Sequence, residues 1–126
     1  MKPESAQKVF GHRGGVGQGG AIGEYQMLIV MGYMHVDPID LAEFSADLKH
    51  LAIVTRQPRG NISYDAALDD PDAGRLLIAE RLTGQDALTA HLHADDTRAF
   101  VDRWRVRMWG DIRKYDVLHE RELDEA

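Results

Sequence analysis

Glu80 and His91 are the side chains of this sequence whose types and surroundings best suit the movement of a proton. Glu80 follows the run Leu76-Leu77-Ile78-Ala79, which is short and apolar enough for a strand. A carboxyl there must find a partner, reach water, or rise in pKa. His91 lies on a segment that reads as a helix from Thr83 to about His93, where Thr83 and Asp86 have the spacing of a capping box. Such a pair supports two readings. A carboxylate beside an imidazole raises its basicity, so the ring can accept a proton near neutral pH. The same contact would also tie helix to sheet and satisfy two buried groups without any turnover.

Four further residues are candidates for a binding pocket. Tyr33, His35, Asn61 and Tyr64 fall on neighbouring strands, with Tyr33 and His35 on one face of theirs, and are expected to line a pocket between sheet and helices. Tyr64 also suits plain core packing, because aromatics fit strands for that reason alone. Trp104 is in phase with Phe100 and reads as core or pocket wall. His93 is two positions from His91 and so points to another part of the helix. With no histidine at a spacing of three or four and no cysteine, no metal site is expected. Arg98, Arg103, Arg105 and Arg107 read as a solvated helix face.

The elements that must hold these groups can be read in order. Met27 to Val36 is a strand, and Asp37-Pro38 marks a helix start, with Asp as N-cap and Pro in the first turn. Leu41, Phe44, Leu48 and Leu51 put an apolar stripe on a helix from about Pro38 to Arg56. Gly60 opens a strand from Asn61 to Leu68, the cluster Asp69 to Gly74 is a hairpin loop, and the next strand starts at Arg75. After the helix of His91, Asp95 or Asp96 begins another that carries Phe100, Trp104 and Met108. Trp109-Gly110-Asp111 ends it, and Ile112 to Glu120 alternates as a last strand. The fold class is α+β, a ferredoxin-like βαββαβ arrangement with an antiparallel sheet. Helices cover one face of such a sheet, yet the last strand offers Ile112 and Leu118 on one face and Tyr115 and Val117 on the other. The second face needs a partner, and a second copy of the chain is the simplest one.

Residues 1–25 differ in kind, holding seven of the twelve glycines, and read as a flexible arm ahead of a domain over 26–126. Gly15-Val16-Gly17-Gln18-Gly19-Gly20 matches a dinucleotide fingerprint but lacks the strand before and helix after that it requires. No cofactor is expected. The net charge of −6 and the lack of a basic cluster interleaved with aromatics of the kind that would track a phosphate backbone argue against nucleic acid and anionic membrane as partners. The run Met27 to Met34 is far short of the ~20 residues of a membrane helix, and no secretory signal is visible. A chain without cysteine is compatible with a reducing cytoplasm, the expected location.

Pro58-Arg59-Gly60, Tyr64, Asp69-Asp70-Pro71, Glu80, Ala87-Leu88-Thr89-Ala90-His91-Leu92 and Phe100, in that order, resemble the antibiotic biosynthesis monooxygenase family. That family includes quinol monooxygenases and belongs to the dimeric α+β barrels, and the resemblance extends over roughly residues 27 to 120. It implies a homodimer that oxidises a quinol or phenolic aromatic molecule with molecular oxygen and no cofactor. It also implies His91 as base or hydrogen-bond donor, with Glu80 as its orienter. Departures are visible. Members that oxidise polyketide phenols carry Asn, Trp and Tyr at positions that fall on Ile78, Leu82 and Leu88 here. Haem-degrading relatives use that Trp and a histidine that falls on Val101. A non-oxygenase enzyme on the same fold, such as an isomerase or a processor of signal metabolites, and a binding domain without turnover therefore stay open beside the monooxygenase.

Overall fold

The computed structural model describes residues 27–55 and 60–125. The arm expected over residues 1–25 and the Pro58-Arg59 part of the turn lie outside the described residues. Four strands form one antiparallel sheet: β1 (Met27–Val36), β2 (Asn61–Asp70), β3 (Arg75–Leu82) and β4 (Met108–Val117). Their order across the sheet is β2-β3-β1-β4. Helix α1 (Leu41–Thr55) follows β1, and α2 (Gln85–His93) and α3 (Asp95–Trp104) link β3 to β4. This is the ferredoxin-like arrangement.

Local chemistry explains most element ends. The Asp37 side chain accepts from the Ile39 backbone N–H at 3.1 Å, and Pro38 sits in the first turn of a short 3-10 segment, Pro38–Asp40, that leads into α1. Asp70 caps a second 3-10 segment, Pro71–Ala73, which ends at Gly74 with φ +69°. A Cβ on Gly74 would lie 2.0 Å from the Val36 carbonyl oxygen, so this turn requires glycine on both counts. The expected capping box is not used. The Thr83 backbone N–H donates to the Gly60 carbonyl at 2.9 Å, which holds Thr83 just beyond the end of β3 and leaves Gly84 as N-cap of α2, without a side-chain bond.

The end of the chain differs more from the sequence expectation. Helix α3 stops at Trp104, and Arg105 to Arg107 turn the chain, so Met108 and Trp109 belong to β4. The four-residue step from Trp104 to Met108 is a helical spacing, but it is equally satisfied by a turn that delivers Met108 inward on a strand.

The core lies between the helices and one face of the sheet. The α1 stripe of Leu41, Phe44, Leu48 and Leu51 is buried, with Phe44 fully so. Phe44 meets the Trp104 ring edge-on at 5.0 Å and the Phe100 ring at 5.4 Å, which fixes α1 against α3. Each such side chain contributes about 1.5–3 kcal/mol on full burial. On β1 the inward residues are Leu28, Val30, Met34 and Val36. The intervening Ile29, Met31, Tyr33 and His35 face away from the helices.

Strand β2 holds an extra residue near each end, Ile62 and Asp69, and the first of them shapes the site. Ser63 pairs with Arg81 and Asn61 pairs with Leu82, so Ile62 bulges between them. The bulge puts Asn61 and Tyr64 on the same face as Glu80 and Leu82, toward the helices.

Candidate functional site

Glu80, Tyr64 and His91 are brought together beneath α2. Glu80 lies opposite Tyr64 in the β2–β3 register and opposite Val30 in β1–β3, so it sits within the sheet with neighbours on both sides. It is 6% exposed, Tyr64 is 4% exposed and His91 is 8% exposed. The His91 ring meets the Tyr64 ring edge-on, with centroids 5.7 Å apart. Its Nε2 is 3.8 Å from Glu80 Oε1. That is within ion-pair reach but too long for a hydrogen bond, so the expected direct bond between the two is not formed.

The hydrogen bond on the ring comes instead from Thr97. Its Oγ1 is 3.2 Å from His91 Nδ1, and Thr97 is 2% exposed. The corner between α2 and α3 makes this possible. The Ala94 N–H donates to the His91 carbonyl at 3.2 Å and the Arg98 N–H to the Ala94 carbonyl at 3.0 Å, folding the first turn of α3 back over the ring. Sequence reasoning missed Thr97, although a signal existed: Thr97, Phe100, Val101 and Trp104 form one helical stripe, and all four are buried. A hydroxyl on an apolar stripe must find a partner.

Two side-chain oxygens among the described residues are buried with no hydrogen-bond partner, Asn61 Oδ1 and Glu80 Oε1. Burial pushes the Glu80 carboxyl up to about 8 and pulls the His91 imidazole down to about 4. The ion-pair distance and these shifts point in opposite directions. Both groups are neutral near pH 7, because loss of water disfavours the charge on each side and the 3.8 Å gap lets neither group bond the other's charged form. The Tyr64 phenol is also pushed upward, by burial first and by the neighbouring Glu80 second. The site is therefore buried and uncharged near pH 7.

Gly60 shapes its edge. Its φ is +92°, and a Cβ there would lie 2.6 Å from Ala87 Cβ on α2, so glycine lets the helix pack close to β2.

The other residues expected in the pocket are elsewhere. Tyr33 and His35 lie on the opposite face of the sheet, where His35 stacks on Trp109 at 3.8 Å and Arg75 sits over the Tyr33 ring at 5.1 Å. This corrects the expectation of a pocket between sheet and helices that includes them. A strand apolar on both faces does not reveal which face the helices cover. The His35 imidazole is lowered in pKa by burial and then by Arg75, against a smaller raising effect of Asp111. Trp104 is fully buried in the core, its indole N–H donating to Asp47 Oδ2 at 2.8 Å and its ring stacked under Arg107 at 4.0 Å. His93 bonds the Thr89 carbonyl on its own helix at 2.9 Å. Among the described residues, no group of three His, Cys, Asp or Glu could hold a metal, and no helix is long and apolar enough to cross a membrane.

Several solved structures share this architecture. A "putative antibiotic biosynthesis monooxygenase" from Deinococcus radiodurans superposes with a TM-score of 0.70 at 22% identity, covering 78% of this chain and 99% of its own. Another so described, from Caulobacter crescentus CB15, gives 0.69 at 23% identity, covering 76% of this chain and 93% of its own. A conserved protein from Methanosarcina mazei Go1 gives 0.67 at 19% identity, covering 75% and 95%. These likenesses establish the fold. No curated protein matches the chain. The family model for antibiotic biosynthesis monooxygenases matches residues 27–103, a span that takes in β1, α1 and the whole Tyr64–Glu80–His91 site, and the chain belongs to that family.

Proposed function

We propose that the protein is a cofactor-independent monooxygenase of a quinol or phenolic aromatic molecule, with His91 and Glu80 as its catalytic pair. The observation that carries this reading is the 3.8 Å gap between His91 Nε2 and Glu80 Oε1, two buried and neutral groups. A hydroxyl oxygen placed in hydrogen-bond reach of both would give its proton to Nε2 and accept one from the Glu80 carboxylic acid. Proton transfer to His91 would leave a phenolate beside an imidazolium. Their mutual attraction offsets the desolvation that keeps His91 neutral on its own, while the acid proton of Glu80 stabilises the developing oxyanion. In this family's chemistry the electron-rich anion then reduces oxygen, one atom entering the ring and the other leaving as water. Tyr64 and the unpaired carbonyl of Asn61 line the same face and are assigned to substrate binding.

The sheet face away from the helices supports assembly. Met31, Tyr33 and Tyr115 are 41%, 40% and 49% exposed there, and a second copy packing sheet to sheet would cover them, as in the family's dimeric barrels.

A second reading, a binding domain without turnover, is favoured by one observation. Ile78, Leu82 and Leu88 occupy the positions where the phenol oxidases carry polar or aromatic groups, and all three are buried apolar core. Oxygen uptake with a panel of dihydroxyaromatic compounds separates the two. The monooxygenase should consume oxygen, and His91→Ala should lower turnover by about 10²-fold, the usual scale of acid–base catalysis. Thermal stabilisation by the same compounds with no oxygen uptake would replace the enzyme with the binder.

A further inference from the structure

We infer that Lys114 selects the substrate by an anionic group, so that the molecule seated against Glu80 and His91 is an aromatic hydroxy acid with its hydroxyl and its carboxylate at opposite ends. The inference rests on the reading of the Glu80–His91 gap as a hydroxyl site and names the class of molecule that fits it. The register puts the two ends on one line. Tyr64, Glu80, Val30 and Lys114 lie directly opposite one another across β2, β3, β1 and β4. Residues paired in this way share a face of the sheet, and Val30 and Glu80 are buried toward the helices. Lys114 therefore points that way too, and its Nζ donates to Gln85 Oε1 at 2.7 Å, on the first residue of the helix that carries His91. Two strand spacings separate Lys114 from Glu80, about 10 Å between backbones. An aromatic ring with a substituent at each end spans much of that distance, and the flexible lysine stem covers the rest.

The two ends lack different things. At β3, Glu80 Oε1 is buried without a hydrogen-bond partner, which suits a hydroxyl. At β4, the Lys114 ammonium is bonded to a neutral amide, with no carboxylate of the described residues in ion-pair reach. Arg75, Arg81, Arg103, Arg105, Arg107 and Arg113 each have such a carboxylate. Between the ends the floor is apolar, with Val30 in the row itself and Ile112 in the row beside it. The helices leave the β4 side open, since Ile112 is half-buried, and Lys114 and Asp116, the next inward residues of that strand, are exposed. A ligand entering from this edge passes its hydroxyl inward over Val30 and leaves its carboxylate at the rim. The chain carries a net charge of −6, so a preference for an anion has to come from a local cation.

The test is titration calorimetry of the full chain at pH 7 with para-hydroxybenzoate, its uncharged methyl ester, and ortho-hydroxybenzoate, whose hydroxyl and carboxylate are adjacent and cannot reach both ends of the row. The para acid should bind about fivefold more tightly than the ester, the scale of one part-exposed ion pair, and more tightly than the ortho acid. Added salt should weaken the para acid more than the ester. Lys114→Met should abolish the preference for the acid, and Lys114→Arg should keep it. A para acid that binds no more tightly than its ester or than the ortho acid overturns the inference, as does an unchanged preference in Lys114→Met or a failure of all three compounds to bind. The measurement needs no turnover. A Lys114-dependent preference in a protein that takes up no oxygen would fail the enzymatic reading alone, and oxygen uptake with uncharged dihydroxyaromatics but no preference for the acid would fail this inference alone.

Discussion

The two faces of the sheet are built from the same strands and handle polar groups in opposite ways. Toward the helices, charge is nearly absent. The polar groups there, Glu80, His91 and Thr97, are buried and arranged around one gap. Away from the helices, the polar groups are paired across strands while sizeable apolar surface stays exposed. Arg81 donates to Ser63 at 3.0 Å and to Glu120 at 2.8 Å, and Arg75 to Asp69 at 2.7 Å, beside Met31, Tyr33 and Tyr115. The contrast separates the face of the proposed chemistry from the face of the proposed assembly. One face isolates a few groups from water, and the other keeps its ions solvated and its apolar area available.

The covered face should respond most to truncation. Trp104→Ala removes a fully buried ring and its bond to Asp47, and urea unfolding should record a loss of about 3–5 kcal/mol. A loss below about 1 kcal/mol would mean that α3 does not pack as described. On the other face, Met31→Asp should leave the far-ultraviolet dichroism unchanged while light scattering falls from twice the chain mass to the chain mass. A wild type that is already monomeric at micromolar concentration removes the proposed sheet-to-sheet contact.

The third prediction concerns pH and sharpens the contrast. Glu80 titrates near 8 in the folded chain against 4.5 as its ordinary value, so folding takes up a proton in that window and stability declines as pH rises from 4.5 to 8. His91 titrates near 4 against 6.5, so folding releases a proton and stability declines as pH falls from 6.5 to 4. The two slopes cancel between 4.5 and 6.5. What remains on the alkaline side is a decline between 6.5 and 8, on the order of 2 kcal/mol from one proton. Glu80→Gln should flatten that decline and uncover the acid-side loss due to His91. An unchanged pH profile would show that the carboxyl reaches water. The smallest effect belongs to the surface. Arg105→Ala breaks an exposed pair with Asp102 and should change stability by less than about 0.5 kcal/mol, a larger change pointing to a role beyond that pair.

The order of elements and the antiparallel sheet were legible because they rest on local signals, an apolar run, a helical stripe, an Asp-Pro cap, whereas the Glu80–His91 proximity was legible through the family's Ala-x-x-His-Leu pattern. Three things were not. Facing could not be read on β1, since Met27 to Met34 is apolar at nearly every position and period-two alternation carries no contrast there. The start of β4 was hidden because Met108 points inward whether reached by helix or by turn. Thr97 went unseen because its partner is set by the α2–α3 corner, and such a corner depends on how two helices pack rather than on either helix alone.

The bulge at Ile62 has a different kind of consequence. Side chains on a strand alternate like a two-state counter, and one inserted residue advances the count for everything before it. Ser63 faces away from the helices with Arg81, so in an unbulged strand Asn61 would do the same. Ile62 resets the parity, and Asn61 joins Glu80's side while Tyr64 keeps its place. The polar lining of the site at this edge is therefore a matter of chain length as much as of residue type. Insertion or deletion of a single residue in the first turn of β2 can exchange which side chain meets a ligand and still leave the sheet, its order and its core intact.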